Sequence, residues 1–234
     1  MKQFILAVVT IFSLASCGEY ISGSGNIVKE QRTVKDFNRI EVGGAFTVNV
    51  MIGSPQKVEV ESDDNIMPYI ETKVKGTTLQ IKTKSHTNFN DGHYVVNITV
   101  PALEEIDASG AASVEGKNLN KREGKFEIKS SGASSIKVEV DVPAVEVHSS
   151  GAGEIQISGR TKNYWLHSSG SSEIKSSGLL SETTDAKVSG AGNVHVHASV
   201  KLKAKASGAG TIYYRGAAQV DQDVSGAGTV KKED

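Results

Sequence analysis

The chain has 234 residues, 38% hydrophobic and 23% charged, which suits a packed protein of one or two domains. Twenty-six Lys and Arg against 27 Asp and Glu leave a net charge of −1, so the basic footprint of a nucleic-acid binder is absent. A single cysteine excludes an internal disulfide.

The chain opens with Met1-Lys2-Gln3, a basic start, and an apolar run from Phe4 to Leu14. That run is too short to span a bilayer, and it reads as a secretory signal over residues 1–16. Leu14-Ala15-Ser16-Cys17 resembles the lipobox of bacterial lipoproteins. The resemblance implies cleavage before Cys17, lipidation of Cys17, and an exported protein held on the outer membrane by its lipid. More than one acyl chain gives stable anchoring, since each buried CH₂ adds about 0.8 kcal/mol. Residues 17–25, rich in Gly and Ser, read as a tether.

Residues 26–105 read as an N-terminal β region. Period-two apolar alternation predicts strands at Ile27–Val34, Phe37–Val42, Phe46–Ile52, Lys57–Glu61, Ile70–Lys75, Thr78–Lys84 and Tyr94–Val100. Gly43-Gly44, Gly53-Ser54-Pro55, Gly76 and Asn90-Asp91-Gly92 supply the turns, and Asp63–Tyr69 reads as one helical turn.

Residues 106–234 are a repeat array. Ser-Gly-Ala/Ser-x-x-Ile/Val occurs with its glycine at Gly110, Gly132, Gly151, Gly170, Gly190, Gly208 and Gly226. The spacings are 22, 19, 19, 20, 18 and 18 residues, the period of a solenoid. Four residues after each glycine stands Val114, Ile136, Ile155, Ile174, Val194, Ile212 or Val230, which predicts one interior file. Glycine gives each corner its backbone freedom, and second corners fall at Lys117-Asn118, Ser158-Gly159, Ser177-Gly178 and Arg215-Gly216. Ile40 to Val48 fits the same template as a degenerate early rung. One rung cannot fold alone. Its branched aliphatic side chain gains about 1.5–3 kcal/mol on burial, while ordering the backbone costs about 1–2 kcal/mol per residue. The expectation is an all-β, right-handed β-solenoid of about seven to eight rungs with an irregular N-terminal half, continuous through Pro101 or divided into two sub-domains there.

Gly23-Ser24-Gly25-Asn26, Phe37-Asn38-Arg39-Ile40, Asp63-Asp64-Asn65-Ile66, Leu79-Gln80-Ile81, Ile98-Thr99-Val100-Pro101 and the Ser-Gly-Ala repeats resemble the head GIN domain family over roughly residues 23 to 230. That family is labelled an autotransporter adhesin head, and its members are mostly secreted or lipid-anchored bacterial proteins. The resemblance implies a β-solenoid-like fold outside the cytoplasm and transfers no catalytic residue.

Two outward columns follow from the alignment. Three residues before the glycines stand Asp107, Lys129, His148, His167, Lys187, Lys205 and Asp223, which makes His148 and His167 neighbours on adjacent rungs. Two imidazoles with no carboxylate or third ligand beside them in the column read as a solvated face and not a metal site. Five residues before the glycines stand Glu105, Glu127, Glu146, Trp165, Asp185, Lys203 and Asp221. Trp165, with Tyr164 beside it, reads either as a stacking platform for a sugar or as an aromatic packed on a neighbouring loop or the Lys203 stem. His195 and His197 share a strand face, and Tyr213-Tyr214 reads as a patch or as cover for the last rung. The charged Val230-Lys231-Lys232-Glu233-Asp234 reads as a blunted solenoid end.

No P-loop, nucleophile-elbow, zinc-protease or dinucleotide motif is present in the sequence. The function expected is that of a non-enzymatic, lipid-anchored envelope protein, without cofactor, whose solenoid offers a surface to a protein or glycan. The alternatives are a carbohydrate-active or glycan-binding protein working near Trp165 and a periplasmic structural or signalling accessory.

Overall fold

A computed structural model describes residues 20–84, 88–120 and 123–233. The segment expected as a signal, Cys17 and the first residues of the expected tether lie outside the described residues. Strand makes up 69% of the structure, and its helical content is the 3-10 turn Met67–Tyr69, so the class is all-β. The fold is a β-solenoid of about seven turns with an irregular N-terminal half.

Each rung is built from two walls. The first wall stacks Arg39–Gly44, Glu105–Gly110 and Lys125–Ser130, then the later halves of Ser135–Ser149, Glu154–Ser168 and Glu173–Val188, then Lys201–Gly208 and Gln219–Gly226. The second wall stacks Thr47–Ile52, Ser113–Asn120, the earlier halves of the same three strands, Asn193–His197, Thr211–Arg215 and Thr229–Lys232. All of these pairings are parallel, as coiling in one direction requires. In the middle rungs the second corner does not interrupt the strand, which bends through it and continues for 15 or 16 residues.

The register places the predicted file as expected. Val48, Val114, Ile136, Ile155, Ile174, Val194 and Ile212 are consecutive partners, and each is at most 1% exposed. A second interior file on the first wall runs Leu79, Ile40, Ile106, Ile128, Val147, Leu166, Ala186 and Ala204. The degenerate rung is thereby in register with the array, Gly44 lying beside Gly110.

The glycine column has two physical causes, of which the sequence reading named one. Gly110, Gly132, Gly208 and Gly226 have φ of +74°, +72°, +94° and +73°, a conformation that favours glycine. Gly151, Gly170 and Gly190 do not. There the constraint is the rung beneath: an added Cβ would lie 2.0, 2.1 and 1.9 Å from the carbonyl oxygens of Gly132, Gly151 and Gly170. Those oxygens accept the amides of Ala152, Ser171 and Ala191 at 2.8, 2.9 and 3.1 Å, so a ladder of hydrogen bonds draws the corners too close for a side chain. The second corners use Asn118, Gly159 and Gly216 at φ of 55°, 113° and 103°. The one extra residue in the 20-residue repeat is absorbed there as a bulge, where Gln156 to Ser158 faces Lys175 to Gly178.

The N-terminal half closes one end. Thr78–Thr83 and Tyr94–Val100, separated in sequence, lie parallel to Arg39–Gly44 and Thr47–Ile52 as the outermost rung. Antiparallel strands then cover it: Ile70–Lys75 on the first, and Lys57–Asp63 followed by Ile27–Arg32 on the second. The tether expected over residues 17–25 is docked from Tyr20 onward. Tyr20-Ile21 pairs with Asn88-Phe89, and Asn65 and Asp64 bond to Ser22, Ser24 and Asn26. A Gly/Ser composition permits flexibility, but these side-chain partners fix the segment.

At the other end, Gln219–Gly226 and Thr229–Lys232 each pair with the preceding rung. The exposed Gln222 and Lys232 fall in register with the buried Ala204 and the half-buried Tyr214. Polar residues at inward positions blunt an edge against further pairing.

Candidate functional site

The first wall carries the two predicted outward columns in strict register. Glu105, Glu127, Glu146, Trp165, Asp185, Lys203 and Asp221 are successive partners, and so are Asp107, Lys129, His148, His167, Lys187, Lys205 and Asp223. Alternation along the strand turns these columns outward because the residues between them face the core.

Trp165 is 43% exposed and lies in a shallow groove of about 490 Å³ lined also by Lys125, Glu146, His148, His167, Asp185 and Lys187. His148 is beside His167 as predicted. His148 Nε2 lies 2.8 Å from Glu146 Oε1 and donates to it, while Lys125 Nζ bonds Glu146 Oε2. Lys125 first and His148 second hold the Glu146 carboxyl below the usual range, so it stays charged. Asp185 Oδ1 is shut off from solvent and has no donor. Among the described residues His167 makes no hydrogen bond or ion pair, and Lys187 approaches Asp185 only to 3.9 Å.

Tyr164 is not part of this surface, which corrects the sequence reading. It is 1% exposed, and its hydroxyl donates to Ser176 Oγ at 3.1 Å. Consecutive residues of a strand face opposite sides, so Trp165 and Tyr164 cannot both be outward. Ser176 Oγ in turn donates to the His195 carbonyl at 2.7 Å, which satisfies the buried hydroxyls.

The same alternation separates Tyr213 from Tyr214. Tyr213 stacks on His195, ring centres 4.6 Å apart and 11° from parallel, and Tyr214 packs against the core. His195 Nδ1 lies 3.0 Å from Glu233 and Nε2 lies 3.6 Å from Glu173, while His197 Nδ1 accepts the Ser181 amide at 3.3 Å. These histidines are held by protein partners.

Larger hollows of about 730 and 1030 Å³ lie at Arg160–Leu180 and at Arg32–Glu71–Lys84, without an exposed aromatic. Among the described residues no three His, Cys, Asp or Glu side chains converge to hold a metal ion. No helix among them is long and apolar enough to cross a membrane.

Parallel rungs stacked into two walls, with antiparallel strands over one end, define a β-solenoid whose outer wall exposes Trp165. Residues 36–218 match the family described as "Putative auto-transporter adhesin, head GIN domain", and the chain belongs to that family. The fold is shared with a solved structure from Bacteroides fragilis named a putative adhesin, with a TM-score of 0.86 and 24% identity over 91% of this chain and 100% of that one. It is shared with a putative adhesin from Parabacteroides distasonis (TM-score 0.67, 26% identity, 92% of this chain and 100% of that one). A third structure, from the same organism and named a putative lipid binding protein, has a TM-score of 0.74 and 20% identity over 92% and 100% of the two chains. No curated protein matches the chain. The family is one of adhesin-like cell-envelope or surface proteins and points away from catalysis.

Proposed function

We propose that this protein is a lipid-anchored envelope adhesin that binds glycan on the first wall of its solenoid, at Trp165, without chemical conversion of the ligand. The observation that carries the reading is a large, half-exposed indole set in a groove of hydrogen-bonding side chains on a rigid sheet. An indole face offers a flat apolar surface to the C–H face of a pyranose, and fixed strands hold it there at low entropic cost.

Cys17 lies three residue steps before Tyr20, where the described chain begins. At about 3.6 Å per residue, an acylated Cys17 holds the N-terminal cap within about 11 Å of the membrane. Trp165 stands four strands beyond Arg39–Gly44 on the first wall, about 19 Å along the stack at roughly 4.8 Å per strand. A solenoid that stands on its anchored cap holds the groove clear of the lipid surface.

A glycan array probed with the wild type and with Trp165→Ala tests the proposal. Binding by the wild type that the variant loses supports it. A wild type that binds no glycan, or a variant that binds as well, overturns it.

A further inference from the structure

We propose that the sugar taken at Trp165 is acidic: a carboxylate-bearing pyranose whose ring lies on the indole and whose carboxylate is received by His167 and Lys187. This deepens the glycan reading above and rests on it.

His167 stands two residues along the strand from Trp165, and Lys187 stands beside His167 on the next rung. Two residues of strand span about 6.7 Å and neighbouring rungs about 4.8 Å, so both donors are within reach of a substituent on a ring stacked over the indole. The file that contains them carries only imidazoles or ammonium groups for five rungs, Lys129, His148, His167, Lys187 and Lys205.

The partners already taken decide where an anion would go. His148 is bonded to Glu146, and Lys205 is paired with Asp223 at 2.9 Å. His167 has no partner, and Lys187 has only the loose approach to Asp185. The free donors of the groove are therefore adjacent to each other and adjacent to Trp165. Of the groove's carboxylates, Glu146 is already paired with Lys125 and His148, and Asp185 has Lys187 as its nearest cation. A carboxylate between an imidazole N–H and an ammonium gains charge-assisted hydrogen bonds that a hydroxymethyl group does not.

Trp165 is the sole tryptophan of the chain, so intrinsic fluorescence reports this groove directly. The titrants are galacturonate, glucuronate and mannuronate oligomers, each beside its carboxyl-reduced, neutral counterpart. At least one acidic oligomer is expected to bind about tenfold tighter than its neutral form. The double variant His167→Gln, Lys187→Gln is expected to lose that preference, binding each acidic oligomer no tighter than its neutral form. Equal or tighter binding of every neutral form, or a preference unchanged in the double variant, overturns the acidic assignment and leaves the glycan platform standing. No binding of any oligomer, with none on the array, overturns both.

Discussion

A Cβ placed on Gly170 would lie 2.1 Å from the carbonyl oxygen of Gly151, the oxygen that accepts the Ser171 amide at 2.9 Å. Each corner glycine of the middle rungs is thus specified by the rung beneath it. Gly170→Ala is expected to lower stability by about 1–3 kcal/mol, read as a lower urea midpoint with an unchanged slope. Gly76 provides the contrast: its φ is +63° with nothing within 4 Å, so Gly76→Asn is tolerated while Gly170→Asn is not. Equal effects at the two sites would show that backbone freedom alone governs both.

Tyr164 and Trp165 give a paired test of inside against outside. Tyr164→Ala empties a fully buried site and is expected to cost about 3–5 kcal/mol. Trp165→Ala changes an exposed position and is expected to stay within about 0.5 kcal/mol, measured by thermal or urea unfolding.

Alkaline stability follows from the buried phenols. Burial pushes the Tyr164 hydroxyl well above its ordinary value, and burial, followed by the Asp63 charge, raises Tyr94. A folded-state pKa raised above the unfolded one favours the native state below about pH 10, and that contribution is lost as pH rises further. Unfolding free energy is expected to fall above about pH 10. Tyr164→Phe is expected to be less stable at neutral pH by about 1 kcal/mol, through the lost Ser176 bond, and to fall less steeply in alkali.

Acid acts on the N-terminal docking. The amides of His93 and Gly25 donate to Asp63, and Ser24 and Asn26 donate to Asp64, each holding its carboxyl below the ordinary value. A lowered folded pKa stabilises above the unfolded value of about 3.9 and is lost as pH falls through the folded one. Hydrogen-exchange protection at Gly23–Asn26 is expected to fall below about pH 4 before the array opens. Asp63→Asn is expected to reduce that protection at every pH, because both Asp63 oxygens accept backbone amides and an amide group offers one.

Cys17→Ser tests the proposed lipid anchor by removing the only thiol of the chain. The variant is expected to accumulate as an unlipidated precursor and to leave the detergent phase on partition. Unchanged processing and partition would exclude the anchor.

The strands of the N-terminal half were legible because period-two alternation survives in each: Ile70–Lys75 and Tyr94–Val100 have the bounds read from sequence. The histidine neighbours and the file around Trp165 were legible because a repeat aligned on its glycine fixes which residues become partners. Tyr164 was misplaced by treating a sequence neighbour of Trp165 as a spatial one. Docking of Tyr20–Asn26 left no periodic signal, since it rests on single side-chain bonds from Asp63, Asp64 and Asn65.

By itself the sequence determined the coil, its period and its interior file, because every rung repeats the same local choice of branched aliphatic, serine and glycine. Only the tertiary structure decided that non-contiguous strands form and cover the first rung, that close rung contact replaces φ as the reason for glycine in the middle of the array, and which donors beside Trp165 remain free. Those features depend on contacts between distant residues and on which partners are already taken, and neither is written in local periodicity.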